Sequence, residues 1–483
     1  MGNKPSSSSQ STELLATFTS DEQAQIKQQY AKAVGHSSSP DKHSKTASLP
    51  RATFEHVLCP HVDEVLRNAI AAHLVEMSNA NNDVITQEGF IRGAYSLARE
   101  NKAESIYSLY TKVSPSLQQF VTHVINSALP FWWQGSTLSM EKWDSNENRR
   151  ACKQLADYLV FSKPPAQRNT LTEDDLFSTG NAEVNTSWNA ETTDNVSADT
   201  FQAWLAGNME FSLLIDILIC SIFWPESADR DKARTQHHLA PAMDKPKLPN
   251  TDSFSNLLDP YMYYLLTLHM PADCLAGPHP SKAIPHSLLF SSKVDGKSWQ
   301  NFASNIVNRG ALVIVIKTSD GAVFGGYTDE PLQLLTRWTG NRNNFLFRQS
   351  PMGLWDATNG TNDHYQYLCW GKKSLPNGFG MGGQFDYCGL WIGADFSHGH
   401  SKAGPLCTTY MSPRLSSQED FTIDQVEAWL VRPIPIDENN PDARSQGSVL
   451  NHAEEMAFLE MAGRKMYSKD VREADQKQDT EAS

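Results

Sequence analysis

Residues 378–429 read GFGMGGQFDYCGLWIGADFSHGHSKAGPLCTTYMSPRLSSQEDFTIDQVEAW, and this stretch decides the fold. Its glycine-dense start, Gly378-Phe379-Gly380-Met381-Gly382-Gly383, looks superficially like a phosphate-binding loop. Such a loop opens a helix, whereas these glycines lead into Phe385–Ile392, which reads as a strand. Their expected use is close backbone approach and a tight bend. Val426–Val431 reads as a further strand, broken by Pro433 and Pro435.

Upstream, Ser287–Pro331 reads SLLFSSKVDGKSWQNFASNIVNRGALVIVIKTSDGAVFGGYTDEP. Ala311–Ile316 is β-branched and apolar, Asp320-Gly321 marks a hairpin turn, and Ser298 begins a short helix through Trp299, Phe302 and Ile306. Strands are also expected at Phe345–Phe347 and Tyr365–Cys369. Many short strands with few helices indicate two packed antiparallel sheets. In this order, the two blocks resemble the two halves of a TLDc domain, and the resemblance covers roughly a third of the chain. It implies the same two-sheet antiparallel sandwich.

The N-terminal half reads as all-helical. Ser20 and Gln23 have the spacing of a capping box ahead of Ile26, Tyr30 and Val34, and Val65, Leu66, Ala69, Ile70, His73, Leu74 and Met77 form one face of a second helix. Phe211–Trp224 is the most apolar run, but it holds Asp216 and stops at Pro225, so it is expected to be a buried core helix rather than a membrane span. Met77–Phe90 resembles an EF-hand loop, with Ile85 at the central apolar position. Its early ligand positions fall on Ser78, Ala80 and Asn82 and its last on Gly89, which predicts a degenerate hand that packs helices without metal.

The expected fold class is therefore multidomain α+β: an N-terminal all-helical, EF-hand-like domain, then a TLDc two-sheet antiparallel β-sandwich with flanking helices, then a C-terminal helix. The expected boundaries are a flexible leader over 1–12, the helical domain over 13–225 with disordered loops near 36–48 and 163–198, and a Pro-rich linker over 226–253. The TLDc domain with a preceding helix follows over 254–432, then a connector over 433–447, a helix over 448–467 and a disordered tail over 468–483.

A formal net charge of −14 argues against general nucleic-acid binding and favours contact with a basic protein surface. The seven cysteines never fall in CxxC spacing, which suits reduced thiols. His398-Gly399-His400 lies near Cys388 and Cys407 but lacks the partner spacing of a zinc site, so no metal and no cofactor are expected. There is no nucleophile elbow and no HExxH, so no catalytic residues are assigned. Met1-Gly2-Asn3-Lys4-Pro5-Ser6 fits the pattern for N-myristoylation at Gly2, a single weak anchor without a polybasic patch beside it.

The TLDc resemblance implies a non-enzymatic adaptor. It would bind the cytosolic sector of the vacuolar proton-pumping ATPase, lie on the cytosolic face of lysosomal membranes through the Gly2 myristate, and link the pump to mTOR signalling components. Residues expected to line the contact are an exposed loop, Asp395, Phe396, Ser397, His398, Gly399, His400 and Ser401, with Met456, Leu459 and Met461 on the terminal helix. Many TLDc proteins carry acidic residues just after the Leu-Trp-Ile strand, where this chain has Gly393 and Ala394 before Asp395. Two other readings compete: a thiol-dependent peroxide scavenger using an exposed Cys388 or Cys407, and a calcium-gated adaptor.

Overall fold

The computed structural model describes residues 7–36, 48–79, 83–132, 146–162, 188, 193–225, 255–274, 286–384 and 387–434. They form two compact units: a helical one holding the described residues up to 274 together with 350–353, and a β-rich one holding 286–349 and 354–434.

The helical unit opens with α1 (Ser7–Leu15) and α2 (Ser20–Gly35). A leader expected to be flexible through residue 12 is thus helical from Ser7, and Leu15 at its end is buried. The capping box of α2 sits one residue earlier than the sequence suggested. Thr19 accepts from the Glu22 N–H and donates its own N–H to the Glu22 carboxylate at 2.9 Å, while Gln23 caps the carbonyl of Phe18. Then come β1 (Leu49–Pro50), α3 (Arg51–Val57), α4 (Glu64–Ser78), β2 (Val84–Ile85) and α5 (Gln87–Ala98). β1 and β2 pair antiparallel, with Leu49 opposite Ile85, which joins the α2–α3 and α4–α5 segments through their loops.

Within the second of these segments, Ser78 Oγ donates to the Leu74 carbonyl and accepts the Thr86 N–H. A Cβ on Gly89 would lie 2.5 Å from Ser78 Cα. The two ends of the expected ligand series therefore close on each other; Ala80 and Asn82 lie outside the described residues.

α6 (Lys102–Val113), α7 (Leu117–Trp132), α8 (Asn146–Phe161), α9 (Ala198–Gly207) and α10 (Met209–Phe223) complete the bundle around a core of Phe120, Phe201, Trp204 and Phe211. α10 is the expected core helix; Asp216, its one mid-helix charge, pairs with Lys102 at 2.5 Å. Among the described residues no single helix is long and apolar enough to cross a membrane. α11 (Pro260–His269), the helix expected to precede the sandwich, folds with the helical unit. Tyr261 to Thr267 are all buried, α11 packs on α8, and Tyr264 donates to the Glu210 carbonyl of α10 at 2.8 Å.

The β unit comprises β3 (Ser287–Ser291), α12 (Ser292–Asp295), α13 (Trp299–Ile306), β4 (Gly310–Thr318), β5 (Val323–Thr328), β6 (Phe345–Arg348), β7 (Gly353–Asp356), β8 (Tyr367–Cys369), β9 (Gly378–Gln384), β10 (Tyr387–Gly393), β11 (His398–His400) and β12 (Asp420–Pro433). Its pairings run β7-β6-β5-β4-β12-β11-β10-β9-β8, with β3 also on β12. The two antiparallel sheets share β12. Residues 420–422 pair with β11, and 427–430 pair with β3 on that same edge. Between them the backbone changes sheet, held by the Ile423 N–H on the Ser397 carbonyl (2.8 Å) and the Val426 N–H on Ser292 Oγ (2.9 Å).

Leu312, Ile314, Ile316 and Leu346 of one sheet meet Phe379, Met381, Leu390 and Ile392 of the other in a single core, closed by Phe302 of α13. The glycines of β9 act as expected. Gly380 lies under the Trp391 ring, where a Cβ would stand 2.7 Å from Cε3, and Gly383 takes φ +82° beside the Tyr387 carbonyl.

Candidate functional site

The outer face of β10, β11 and β12 carries an open cleft of about 460 Å³, within the usual range of ligand pockets. Side chains alternate across strands, so the pairings decide what lines it. Trp391 stands opposite His400, His400 opposite Asp420, and His398 opposite Thr422, all on the outer face. Ile392 and Phe421 point into the core. Gly393 and Ala394, small residues at the end of β10, leave the cleft open beside Asp395.

The turn between β10 and β11 is built by two residues. Asp395 Oδ1 accepts the N–H groups of Ser397 and His398, both at 3.2 Å, and Oδ2 lies 2.5 Å from His398 Nδ1. Burial acts to raise the Asp395 carboxyl, but the His398 hydrogen bond and the two backbone N–H groups outweigh it and hold it below the ordinary range. Phe396 anchors the turn from below: its ring packs on Phe302 at 5.1 Å and on Phe290 at 5.7 Å.

This geometry corrects the expectation of a wholly exposed loop. Asp395, Ser397 and His398 are exposed, and His400 is half-buried. Phe396 is 1% exposed and Ser401 0%. Ser401 Oγ donates to the Gly389 carbonyl at 2.7 Å and accepts the Leu415 N–H at 2.9 Å, so it is a strand tie. Gly399 is buried, and a Cβ there would stand 2.3 Å from the Trp391 carbonyl oxygen. Three of the seven loop residues therefore shape the surface from beneath it. Gly2, Met456, Leu459 and Met461 lie outside the described residues.

Sequence reasoning missed Trp391 and Asp420 as members of the site. The available signal was the two-residue period: His398 and His400 share a face, and any strand paired with β11 must bring its own alternate residues there.

Neither thiol is available for the scavenger reading. Cys388 and Cys407 are both 0% exposed; Cys388 Sγ donates to the Gln384 carbonyl at 2.8 Å, and Cys407 Sγ accepts from Ser412 Oγ at 3.2 Å. Among the described residues no cluster of three or more His, Cys, Asp or Glu side chains is arranged to hold a metal ion. One nitrogen of each ring is engaged within the protein: His400 Nε2 accepts the Cys388 N–H at 3.2 Å, and His398 Nδ1 is on Asp395. The arrangement sets carboxylates at the rim of the cleft and rings along one wall.

Residues 251–432 match the TLDc domain family. The human MTOR-associated protein MEAK7 is 42% identical over 188 residues, which cover 38% of this chain and 40% of that protein. Its Xenopus laevis counterpart is 39% identical over 249 residues, 50% of this chain and 51% of that protein. Human oxidation resistance protein 1 is 31% identical over 182 residues, 38% of this chain and 19% of that protein. The matches thus span between two fifths and half the length of these MEAK7 relatives. The residues that match the TLDc family include the sandwich of this chain, with its cleft.

Proposed function

We propose that this chain is a non-enzymatic, mTOR-linked adaptor that binds the cytosolic sector of the vacuolar proton-pumping ATPase on lysosomal membranes, with a myristate on Gly2 as its lipid anchor. The observation that carries the reading is the 42% identity, over 188 residues, to a protein named for its association with mTOR. The pump and the lysosome come from the resemblance to TLDc proteins as a class.

The site's chemistry supports an adaptor over an enzyme. Two serines near the Asp395–His398 pair are spent on structure: Ser397 Oγ donates to the Asp395 carbonyl, and Ser401 Oγ ties β10 to Leu415. Burial of Cys388 and Cys407 withholds the two thiols on which the scavenger reading rests.

The test is a pull-down on lysosomal membranes with the full chain, its Gly2→Ala variant and an Asp395→Lys/His398→Glu double variant, read by blotting for pump subunits and mTOR. Pump recovery should survive Gly2→Ala at reduced membrane yield and fall in the double variant. Failure to recover any pump subunit with the wild-type chain would overturn the reading.

A further inference from the structure

We infer that the cleft over β10–β12 receives an arginine side chain from a basic segment of a partner protein. This deepens the adaptor reading and rests on it for the existence of such a partner; the chemistry of the occupant comes from the cleft itself.

A row of rings crosses the outer face of the sheet. His364 stacks on Trp338 at 4.8 Å and 7°, Trp338 meets Tyr367 at 5.3 Å, Tyr367 stacks on Trp391 at 6.0 Å, and Trp391 stacks on His400 at 6.0 Å and 15°. The last three follow the strand register: Tyr367 faces Gly380, Gly380 faces Trp391, and Trp391 faces His400. The next rung is Asp420, a carboxylate. The series of planar groups therefore ends against an anion, beside a cleft bordered on its other side by Asp395.

A guanidinium meets both demands of such a place. It is planar, so it continues a stack on the His400 and Trp391 wall, and its fork of N–H donors matches a carboxylate. An ammonium is compact and strongly hydrated, and satisfies only the second demand. Charge agrees with the assignment: Asp395 and Asp420 line the cleft and no Lys or Arg does. The nearby Lys402 is held by Glu419 at 2.5 Å, a contact that keeps the exposed Glu419 carboxyl below its ordinary range. The whole chain, at −14, also favours a basic partner. A metal ion is the poorer occupant because, among the described residues, no three His, Cys, Asp or Glu side chains are arranged to hold one.

The experiment uses the purified full chain and three fluorescein-labelled Gly/Ser peptides that differ only at two central positions, which carry arginine, lysine or citrulline. Fluorescence polarisation should show the arginine peptide binding about tenfold tighter than the citrulline peptide and several-fold tighter than the lysine peptide. Asp420→Asn with Asp395→Asn should abolish the preference for arginine over citrulline, and His400→Gln should reduce arginine to the lysine level. The Asp395 side chain is 52% exposed and Asp420 is also exposed, so an unchanged melting temperature is the folding control for the double variant. Equal binding of arginine and citrulline peptides, or a double variant that binds like the wild type, overturns the assignment. Arginine selectivity in a chain that recovers no pump from membranes would uphold the cleft's chemistry while removing the partner named above.

Discussion

At φ +54° Phe396 stands in the left-handed region, where a bulky side chain crowds its own backbone, yet its ring lies in the sandwich core. The burial outweighs the strain and fixes where Asp395 and His398 emerge. Phe396→Ala should lower stability by roughly 3 kcal/mol or more through the cavity it leaves. Phe396→Gly should be no worse than Ala, because glycine relieves about 1 kcal/mol of backbone strain. Chemical denaturation of both variants checks the order; a Gly variant clearly less stable than Ala would contradict this account. The distinction between Phe396 and its neighbours was not legible in ADFSHGHS, since a phenylalanine amid polar residues reads equally as a loop tip or as an anchor. Only the packing of α13 and β3 against it decides.

Asp329 follows β5 directly and Arg432 lies near the end of β12, and their 2.9 Å contact ties two strands that flank β4. Burial raises the Asp329 carboxyl, but hydrogen bonds from Tyr327, Asn341 and Asn343, then the Arg432 charge, more than offset it and leave it lowered. A carboxyl lowered in the folded state contributes stability above its unfolded value, near pH 4, and loses that contribution as the pH falls through the folded value. Asp329→Asn should therefore cost on the order of 3 kcal/mol at pH 7. The gap from wild type, read by urea denaturation, should narrow below about pH 4. A gap that stays constant to pH 2.5 would show that the charge is not the source.

The central strands of this unit were legible because Ala311–Ile316 is apolar and rich in β-branched residues and Val426–Val431 is apolar except for Glu427. The polar start of β12, Asp420–Gln425, was not, nor was β7, because neighbouring strands supply what their own sequence does not signal. α1, in a serine-rich run, and the pairing of β1 with β2 were missed for the same reason.

At the scale of the molecule, the two units are separate compact bodies whose border in sequence differs from the expected one at residue 254. The family match begins at 251, while α11 packs among the helices. Asp259 tests that placement. It caps α11 through the Met262 N–H at 2.8 Å, and burial raises its carboxyl to about 6. A carboxyl raised in the folded state costs nothing below its unfolded value and weakens the fold as the pH rises through the folded value. Asp259→Asn keeps the cap and removes the buried charge, so it should stabilise by on the order of 2 to 3 kcal/mol at pH 8 and by almost nothing at pH 4. Hydrogen exchange at pH 8 should slow in α8 and α10 and remain unchanged in β4 and β12. Slowing in the strands instead would place α11 with the sandwich.

β12 also has a mechanical meaning. Because one backbone belongs to both sheets, tension applied at Pro433 runs down a single strand into β4, β3 and β11 together. The lateral hydrogen bonds are then loaded in shear, all at once, rather than peeled one after another. Whatever follows residue 434 is therefore tethered to the strand that both sheets share, and that strand runs on to Asp420 at the edge of the cleft.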